Sequence, residues 1–353
     1  RGSLSGYSSS MSSTYRDLSE PEWTPKLATV LERAAAAIAR LDARISVSPV
    51  ATPWQQRAVW TGYTTALQAQ GAEVDEIDIF GRECAVTLPG RSKMPSHLDD
   101  DHALRNWHAQ LASRKARHWR DELPIPTEVA ADWAERPALL RALEIVARHA
   151  RADSTITPWL TVPWLLKSMK ITHAALPCLT IGDKALRRAP RDAQTIIVRN
   201  LRAFADRAEE GLVRLQALED NRLRAADAIR DAHRPGKLAT LLSLMQFVPV
   251  ASPRLVAETL DLTISGAGKL LARAADLDLV VEVSGRQAWR TYVARDLALS
   301  FGFVQRSVGR PLAPPKYSAN LEPVLQVFDR EMAELDAKLA SLGRAGPVHF
   351  PGA

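Results

Sequence analysis

The sequence predicts a mainly α-helical protein with one small β-hairpin near its C-terminus and an amphipathic helix after the hairpin. Apolar residues recur at the helical spacings of three and four through most of the 353 residues. By contrast, the stretch SGRQAWRTYVA at 284–294 places a Gly-Arg turn before alternating residues, which is typical of the second strand of a hairpin. The hairpin therefore stands out in a helical chain.

The composition indicates a globular protein with a modest positive charge. The 46 basic and 40 acidic residues give a net charge of +6, which permits an anionic partner without requiring one. Cys84 and Cys178 lie far apart and fit no metal-ligand or redox spacing, so we expect reduced thiols. Apolar runs such as residues 241–250 are too short to span a bilayer. We therefore expect a cytoplasmic protein that does not enter the membrane.

Residues 11–101 are predicted to form an N-terminal helical region that ends in a linker. The ten residues before Met11 are rich in Gly and Ser, which is typical of an artificial leader, so the fold prediction leaves out residues 1–10. A first helix ends before Pro49, because the apolar spacing of three and four stops there. A second helix covers residues 53–70, with Thr52 as its expected N-cap.

The linker over residues 86–101 ends in the acidic first turn of the next helix. Three histidines surround this turn and raise the possibility of a metal site. His97, His102 and His108 do not have the spacing that brings two ligands onto one helical face. We therefore expect no metal site here.

Aromatic residues in these segments allow two interpretations. Trp54, Trp60 and Tyr63 would either stack on bases or fill a core. The same choice applies to Trp107 and Trp119, which alternate with basic residues that would either neutralise phosphates or lie in solvent. These basic residues are Arg105, Arg114, Lys115, Arg117 and Arg120, on one predicted helix that continues to residue 123. We favour core rings and solvated basic side chains.

Residues 102–235 are predicted to form a second helical domain. Apart from the helix with the basic residues, it contains an amphipathic helix over residues 134–150 and two Pro-Trp pairs that suggest a turn into a buried helix. A long helix over residues 192–234 keeps the helical period and ends at Pro235 and Gly236. The next domain is expected to begin there.

Residues 236–300 have the element order of a winged helix-turn-helix. A helix over residues 238–248 precedes a second helix that starts at Ser252-Pro253, and Thr263 caps a third. On the third helix Ala267, Leu270, Leu271 and Ala274 form the inner face, which leaves Ile264, Ser265, Gly266, Lys269 and Arg273 outward. Two predicted strands, at residues 277–283 and 288–294, then form the wing.

A winged helix inserts its third helix into the major groove of DNA, while the wing contacts phosphates or the minor groove. The predicted contacts to double-stranded DNA are Ser265, Lys269, Arg273, Arg286 and Arg290. Two features weaken this interpretation. Gly266 and Gly268 each destabilise the helix by roughly 1 kcal/mol relative to alanine, and residues 237–300 carry seven basic against six acidic residues. A protein-binding module remains the alternative.

These segments also resemble a known family. The runs TVPWLLKSM, LPCLTIGDKALRRAPRDAQ and LVAETLDLTISGAGKLLARAADLDLVVEVSGRQAWRTYVA look like uncharacterised bacterial proteins that pair a helical domain with a C-terminal helix-turn-helix. Such proteins are often encoded on plasmids of plant-associated bacteria. The resemblance covers most of residues 27–294. Asp278 stands where the winged-helix pattern usually has glycine, and an aspartate is tolerated there if its backbone is left-handed.

That family is similar in turn to the C-terminal half of Fic proteins. Fic catalysis requires the motif His-Pro-Phe-x-Asp-Gly-Asn-Gly-Arg, and none of the eight histidines begins such a run. His173, in ITHAALP, lies nearest to the equivalent region. The resemblance therefore implies a degenerate Fic-like helical core without catalysis. No other catalytic or cofactor motif replaces it, so we expect no enzyme and no cofactor.

After a linker over residues 301–320, residues 321–345 are predicted to form an amphipathic helix. Its apolar residues repeat at spacings of three and four, like the seam of a coiled coil. They are Leu325, Phe328, Met332, Leu335, Leu339 and Leu342. The helix either pairs with its twin in a homodimer or folds back on its own chain, and we favour the dimer.

The sequence thus predicts a dimeric transcriptional regulator that reads duplex DNA through a winged helix. The alternative is a non-catalytic protein-interaction scaffold that uses the helical core and the winged helix as docking surfaces. Nothing in the sequence identifies a pocket for a small-molecule effector.

Overall fold

The computed structural model describes Leu18 and residues 21–91, 101–113, 118–188, 192–285, 290–304 and 321–341. Within these ranges the protein is mainly helical and contains one three-stranded antiparallel sheet. The predicted mainly α fold class is confirmed at this level. Contacts divide the chain into two compact units, and α1, α2 and α8, whose bounds follow, contribute residues to both.

The first unit draws on Arg1–Asp42, Thr65–Gly71 and Arg114–Glu209. Its helices, some of which extend beyond it, are α1 (Pro25–Ser46), α2 (Ala51–Gln70), α5 (Trp119–Glu122), α6 (Ala138–Ala152), α7 (Thr157–Ser168) and α8 (Ala193–Asp231). Short 3₁₀ helices lie at Trp133–Glu135, Pro177–Leu179 and Lys184–Arg187. α6 packs against α7 and against the 3₁₀ helix Lys184–Arg187. Trp159 of α7 is fully buried in this unit.

The second unit draws on Ala43–Thr64, Ala72–Ser113 and Glu210–Ala353. It contains α3 (Glu76–Glu83), α4 (Asp101–Ala112), α9 (Leu238–Phe247), α10 (Pro253–Leu260), α11 (Ile264–Asp276), α12 (Arg295–Ser300) and α13 (Glu322–Ser341). α9 packs against α10, α11 and α13. The unit also holds the sheet, so the predicted helices and hairpin of residues 236–300 lie in it.

The sheet has the strand order β1-β3-β2, with β1 at Val250–Ala251, β2 at Val280–Glu282 and β3 at Tyr292–Ala294. β2 and β3 pair antiparallel, with Val281 opposite Val293. These two strands are the predicted hairpin. β2 is shorter than predicted at both ends, whereas β3 begins later than predicted but ends at Ala294 as predicted. β1 adds a third strand on the other side of β3 through the pairing of Val250 with Val293. Asp278, just before β2, has a left-handed φ of 58°, which is the condition under which aspartate is tolerated at this position.

Two helix boundaries differ from the prediction. α2 begins at Ala51, and the N–H of Trp54 already donates to the carbonyl of Val50 at 3.0 Å, so Thr52 is a helical residue and not the N-cap. The predicted continuous helix through residue 123 is also wrong, because α4 ends at Ala112. A separate helix, α5, begins at Trp119, where the Nδ1 of His118 accepts from the N–H of Arg120 at 3.3 Å.

The rings on these helices are core residues. Trp54, Trp60, Tyr63, Trp107 and Trp119 are each 3% exposed or less. A side chain that is buried to this extent has no face available for stacking on a base. The structure therefore confirms the core interpretation. Of the basic residues that alternate with Trp107 and Trp119, Arg105 and Arg120 are exposed, and Arg114, Lys115 and Arg117 lie outside the described residues.

The seam of the C-terminal helix is used within the chain. Leu325, Phe328, Met332, Leu335 and Leu339 are buried, and α13 packs against α9. Lys338 also pairs with Asp261, the C-cap of α10, at 3.0 Å. The favoured pairing of this seam with a second copy is therefore corrected: the helix folds back, which was the alternative. The last predicted seam residue, Leu342, lies outside the described residues.

Three further observations concern membranes, metals and thiols. None of the described helices has both the length and the apolar character needed to cross a bilayer. In the described ranges, no cluster of His, Cys, Asp or Glu is arranged to hold a metal ion, and His97 falls outside those ranges. Both cysteines are buried as free thiols.

Candidate nucleic-acid interface

Two side-chain caps fix the direction of α11 relative to α10. Ser252 Oγ accepts from the N–H of Leu255 at 3.2 Å, and Pro253 takes the first position of α10. α10 then ends at Asp261, whose left-handed φ of 51° turns the chain. Thr263 Oγ1 accepts from the N–H of Gly266 at 3.1 Å and starts α11. The Ser-Pro and Thr signals in the sequence therefore act as predicted.

α11 has one buried and one exposed face. Ala267, Leu271 and Ala274 are fully buried, as predicted for the inner face, and Leu270 is half-buried. On the outer face Ser265 and Lys269 are exposed. Lys269 makes no ion pair with another residue in the described part of the chain. Its ammonium group is therefore available to an anion.

Arg273 has a different environment from the one predicted. Its Nη1 donates to the backbone carbonyl of Arg234 at 2.8 Å, so it ties α11 to the segment that follows α8. Arg273 is half-buried and does not line the depression on the outer face of α11. The structure brings Ser265, Lys269 and Arg290 together around that depression, whose volume is about 390 Å³.

Arg290 stands next to the sheet, two residues before β3, and is exposed. A hydrogen bond to the side chain of Tyr292 raises the pKa of Arg290, and the charges of Tyr292 and Glu282 raise it further. The guanidinium is therefore cationic at any physiological pH. The other predicted wing residue, Arg286, lies outside the described residues.

The structure adds two residues to this surface. Ile264, at the start of α11, is an exposed apolar side chain with 62% of its surface accessible. Arg254, in the first turn of α10, is exposed and pairs through Nε with Glu258 at 2.9 Å. In the sequence, Arg254 could have been recognised by its position directly after Ser252-Pro253, which marks the start of a helix. The helical pattern predicts that Ile264 faces outward but indicates no role for it.

A second concavity lies beside this surface. It has a volume of about 890 Å³ and lies between the loop at residues 85–91 and the starts of α10 and α11. Its lining residues are Ala85, Val86, Thr87, Leu88, Pro89, Gly90, Arg91, Ser252, Pro253, Arg254, Ile264, Arg290 and Thr291. We call it the loop groove. No local pattern in the sequence brings residues 85–91 to α10, because the contact is between distant parts of the chain.

The chain matches no protein-family model, and no curated protein is significantly similar to it. The resemblance to bacterial helix-turn-helix proteins and to Fic proteins therefore stays a prediction. The geometry of the second unit is therefore the basis for the proposed function.

Proposed function

We propose that residues 238–304 form a winged helix that binds double-stranded DNA, and that the protein is a cytoplasmic transcriptional regulator. The element order supports this proposal: α9, β1, α10, a short turn, α11, and then the β2–β3 hairpin. In winged helices this order presents the third helix to the major groove and the hairpin to the adjacent backbone. Here α11 is the third helix, and Arg290 lies next to the hairpin.

One observation carries the proposal. Lys269 and Arg290 are cationic, exposed and on the same depression as the hydroxyl of Ser265, while the opposite face of α11 is buried. Cationic side chains that flank an exposed helix are the arrangement that neutralises phosphates on either side of a groove. The depression therefore has the charge and the shape to accept a DNA backbone.

The face of α11 also carries groups that read bases. Ser265 is able to hydrogen-bond a base edge or a phosphate. Ile264 supplies an apolar surface of the kind that contacts the methyl group of thymine. Lys269 lies one turn after Ser265, on the same side of the helix. Arg254, at the start of α10, extends the positive charge toward the neighbouring backbone.

The test is fluorescence anisotropy of labelled duplex DNA across a salt series, with the fragment upstream of the protein's own gene and a scrambled fragment. We expect tighter binding to the upstream fragment and a steep loss of affinity with salt. Replacing Lys269 or Arg290 with Ala should each reduce the slope of log K against log salt by about one. Equal binding to both fragments, or a slope near zero, would contradict the proposal.

Arg230→Ala is the matched control for these variants. Arg230 is exposed, lies near the end of α8 and pairs with Asp227 and Asp231. The substitution removes one positive charge from the same unit. Arg230 lines neither the depression nor the loop groove. The salt slope should be unchanged. A slope that falls equally in Arg230→Ala would indicate a general effect of net charge and not a contact surface.

One observation favours the second candidate, a non-catalytic protein-interaction scaffold. Ile264 is among the large apolar side chains that remain widely exposed, and it lines both the depression and the loop groove. Exposed apolar side chains at the centre of a patch are also typical of protein interfaces. A scaffold would bind its partner with little salt dependence and would not retain DNA in the anisotropy experiment.

A homodimer belongs to the same proposal, because a two-fold protein matches a palindromic site. The seam of α13 is buried against α9, so a dimer would use a different surface. Light scattering on the protein with and without its DNA fragment tests this point. Two protein chains per palindromic duplex are expected.

A further inference from the structure

The loop groove has the size and lining of a small-molecule site. Its volume of about 890 Å³ falls within the roughly 300–1,000 Å³ of pockets that enclose small ligands. The wall from the loop supplies Val86, Leu88 and Pro89, and the opposite wall supplies Pro253 and Ile264. Such a predominantly apolar lining with a few polar groups is typical of ligand pockets.

The charged residues of the groove all have the same sign. Among the described residues that line it, Arg91, Arg254 and Arg290 are basic and none is acidic. Each guanidinium uses only some of its five N–H donors on described partners. Arg254 donates through Nε to Glu258, and Arg91 donates through Nη1 to Asp75 and Asp78. Arg290 hydrogen-bonds the side chain of Tyr292. The remaining donors are available to an anionic group inside the groove.

The loop that forms one wall is held in place by its own contacts with α3. The N–H of Val86 donates to the carbonyl of Gly81 at 2.8 Å. A Cβ at Gly81 would lie 2.9 Å from the carbonyl oxygen of Val86 and 3.1 Å from Leu88, so only glycine permits this close approach. The ion pair of Arg91 with Asp75 holds the other end of the loop. The wall is therefore a preformed surface.

We propose that the loop groove binds a small amphipathic organic anion, with its apolar body between residues 85–91 and Ile264 and its negative head group on the arginines. An apolar body explains why the exposed Ile264 faces this space, and charge complementarity assigns the head group. The site does not depend on DNA binding. Its regulatory consequence, however, rests on the proposed function.

That consequence follows from shared residues. Ile264 and Arg290 line both the loop groove and the depression on α11. A ligand that occupies the groove covers Ile264 and pairs with Arg290, so it competes with DNA for the same side chains. The anion is therefore expected to release the protein from DNA.

Two dyes with nearly the same apolar body test the site. The probe 1-anilinonaphthalene-8-sulfonate carries a negative head group, and N-phenyl-1-naphthylamine lacks it. We expect the anionic dye to bind the full-length protein with one dye per chain and with a large rise in fluorescence. The neutral dye should bind about tenfold more weakly, because it loses a hydrogen bond to a charged group. Equal affinities, or no saturable binding of the anionic dye, would overturn the proposal.

Variants separate the two parts of the site. Arg254→Gln and Arg91→Gln should each weaken the anionic dye by about tenfold and leave the neutral dye within about twofold. Ile264→Ser should weaken both dyes, because it removes apolar surface. Arg230→Gln, outside the groove, should change neither. If both arginine variants leave the anionic dye unaffected, the head group does not bind there and the proposal fails.

The same experiment distinguishes this proposal from the proposed function. Addition of the duplex should displace the bound anionic dye, and the dye should weaken DNA binding in the anisotropy measurement. If the variants change dye affinity as expected but the protein does not bind DNA, the proposed function is contradicted and the anion site is still supported. DNA binding without saturable dye binding would contradict the site alone.

Discussion

Arg57 of α2 and Asp296 of α12 form a buried ion pair, with Nη1 and Oδ2 2.5 Å apart and both side chains less than a tenth exposed. The same guanidinium donates to the carbonyls of Met245 and Gln246 at 2.7 and 2.8 Å. One arginine near the N-terminus therefore holds the end of α9 and the start of α12. The helices and sheet of the proposed winged helix do not stand alone within the second unit.

Removal of one partner of this pair is expected to destabilise the protein strongly. Arg57→Leu would leave Asp296 as an uncompensated buried charge, and breaking such a pair from one side costs about 3–5 kcal/mol. The expected result is a large loss in the free energy of unfolding in urea. Arg254→Leu, which removes an exposed i,i+4 pair with Glu258, should change it by less than about 1 kcal/mol. Similar losses in the two variants would contradict the buried role of Arg57.

Gly182 packs too closely for any side chain. A Cβ at this position would lie 2.2 Å from the Cβ of Ala69 and 3.2 Å from the ring of Trp159. Gly182→Ala should therefore destabilise the first unit by about 1–3 kcal/mol through overpacking. The measurement is the midpoint of urea unfolding, followed by tryptophan fluorescence. An unchanged midpoint would show that the neighbouring side chains move aside.

Gly268 of α11 is the opposite case. Nothing lies within 4 Å of a Cβ added there, so Gly268→Ala should stabilise the helix. The expected gain is roughly 0.5–1 kcal/mol. Because Gly268 lines the depression on α11, we also expect the added methyl group to weaken DNA binding. Thermal unfolding and anisotropy together test this, and a variant that gains stability with unchanged DNA affinity would place the DNA elsewhere.

Burial of His108 makes the protein sensitive to acid. Burial lowers the pKa of His108 in the folded protein below its usual value. The unfolded chain therefore binds a proton more readily, so stability is full above about pH 6.5 and falls as the pH drops through this value. His108→Gln should reduce the fall in melting temperature between about pH 7.5 and about pH 5.5. Burial also lowers the pKa of His149, although the charge of Asp153 raises it. His149 is therefore expected to account for part of the fall in melting temperature that remains in His108→Gln.

His233 provides the control for this experiment, because its side chain is exposed. His233→Gln should leave the pH dependence of the melting temperature as it is in the parent protein. If His108→Gln behaves in the same way, protonation of His108 is not coupled to unfolding.

The seam of α13 gives a test of the folded-back helix. Phe328 is fully buried, so Phe328→Ala should lower the free energy of unfolding by about 3–5 kcal/mol. Val327, on the outer side of the helix, is 44% exposed, and Val327→Ala should change stability by less than about 0.5 kcal/mol. Because the seam is buried within one chain, the melting temperature of the parent protein should not depend on protein concentration. A strong concentration dependence that Phe328→Ala abolishes would instead support pairing between two chains.

Much of the local structure was predictable from the residues. The spacing of apolar side chains predicted α1, α8 and the inner face of α11, and Ser252 and Thr263 marked the starts of two helices. These features depend on neighbours within one or two turns, so a local pattern contains them. α3 was missed because it has only eight residues and lies inside a segment without a long apolar period.

The candidate site was only partly predictable. Outward positions such as Ser265 and Lys269 follow from helical geometry once the inner face is known. The hydrogen bond of Arg273 to the carbonyl of Arg234 was not foreseen, because it joins residues 39 positions apart. The sequence predicts a linker from residue 86 onward, whereas residues 85–91 form one wall of the loop groove.

The sequence by itself determined most of the helices, the hairpin and the caps of α10 and α11, because propensity, period and caps act over a few residues. Only the tertiary structure decided whether the apolar seam of α13 faces its own chain or another, since the same pattern suits both partners. It also decided that residues 85–91 lie against α10 and that Arg57 reaches Asp296. These contacts join residues that are distant in the sequence. They depend on the complementary shape and charge of the folded surfaces, so no local pattern predicts them.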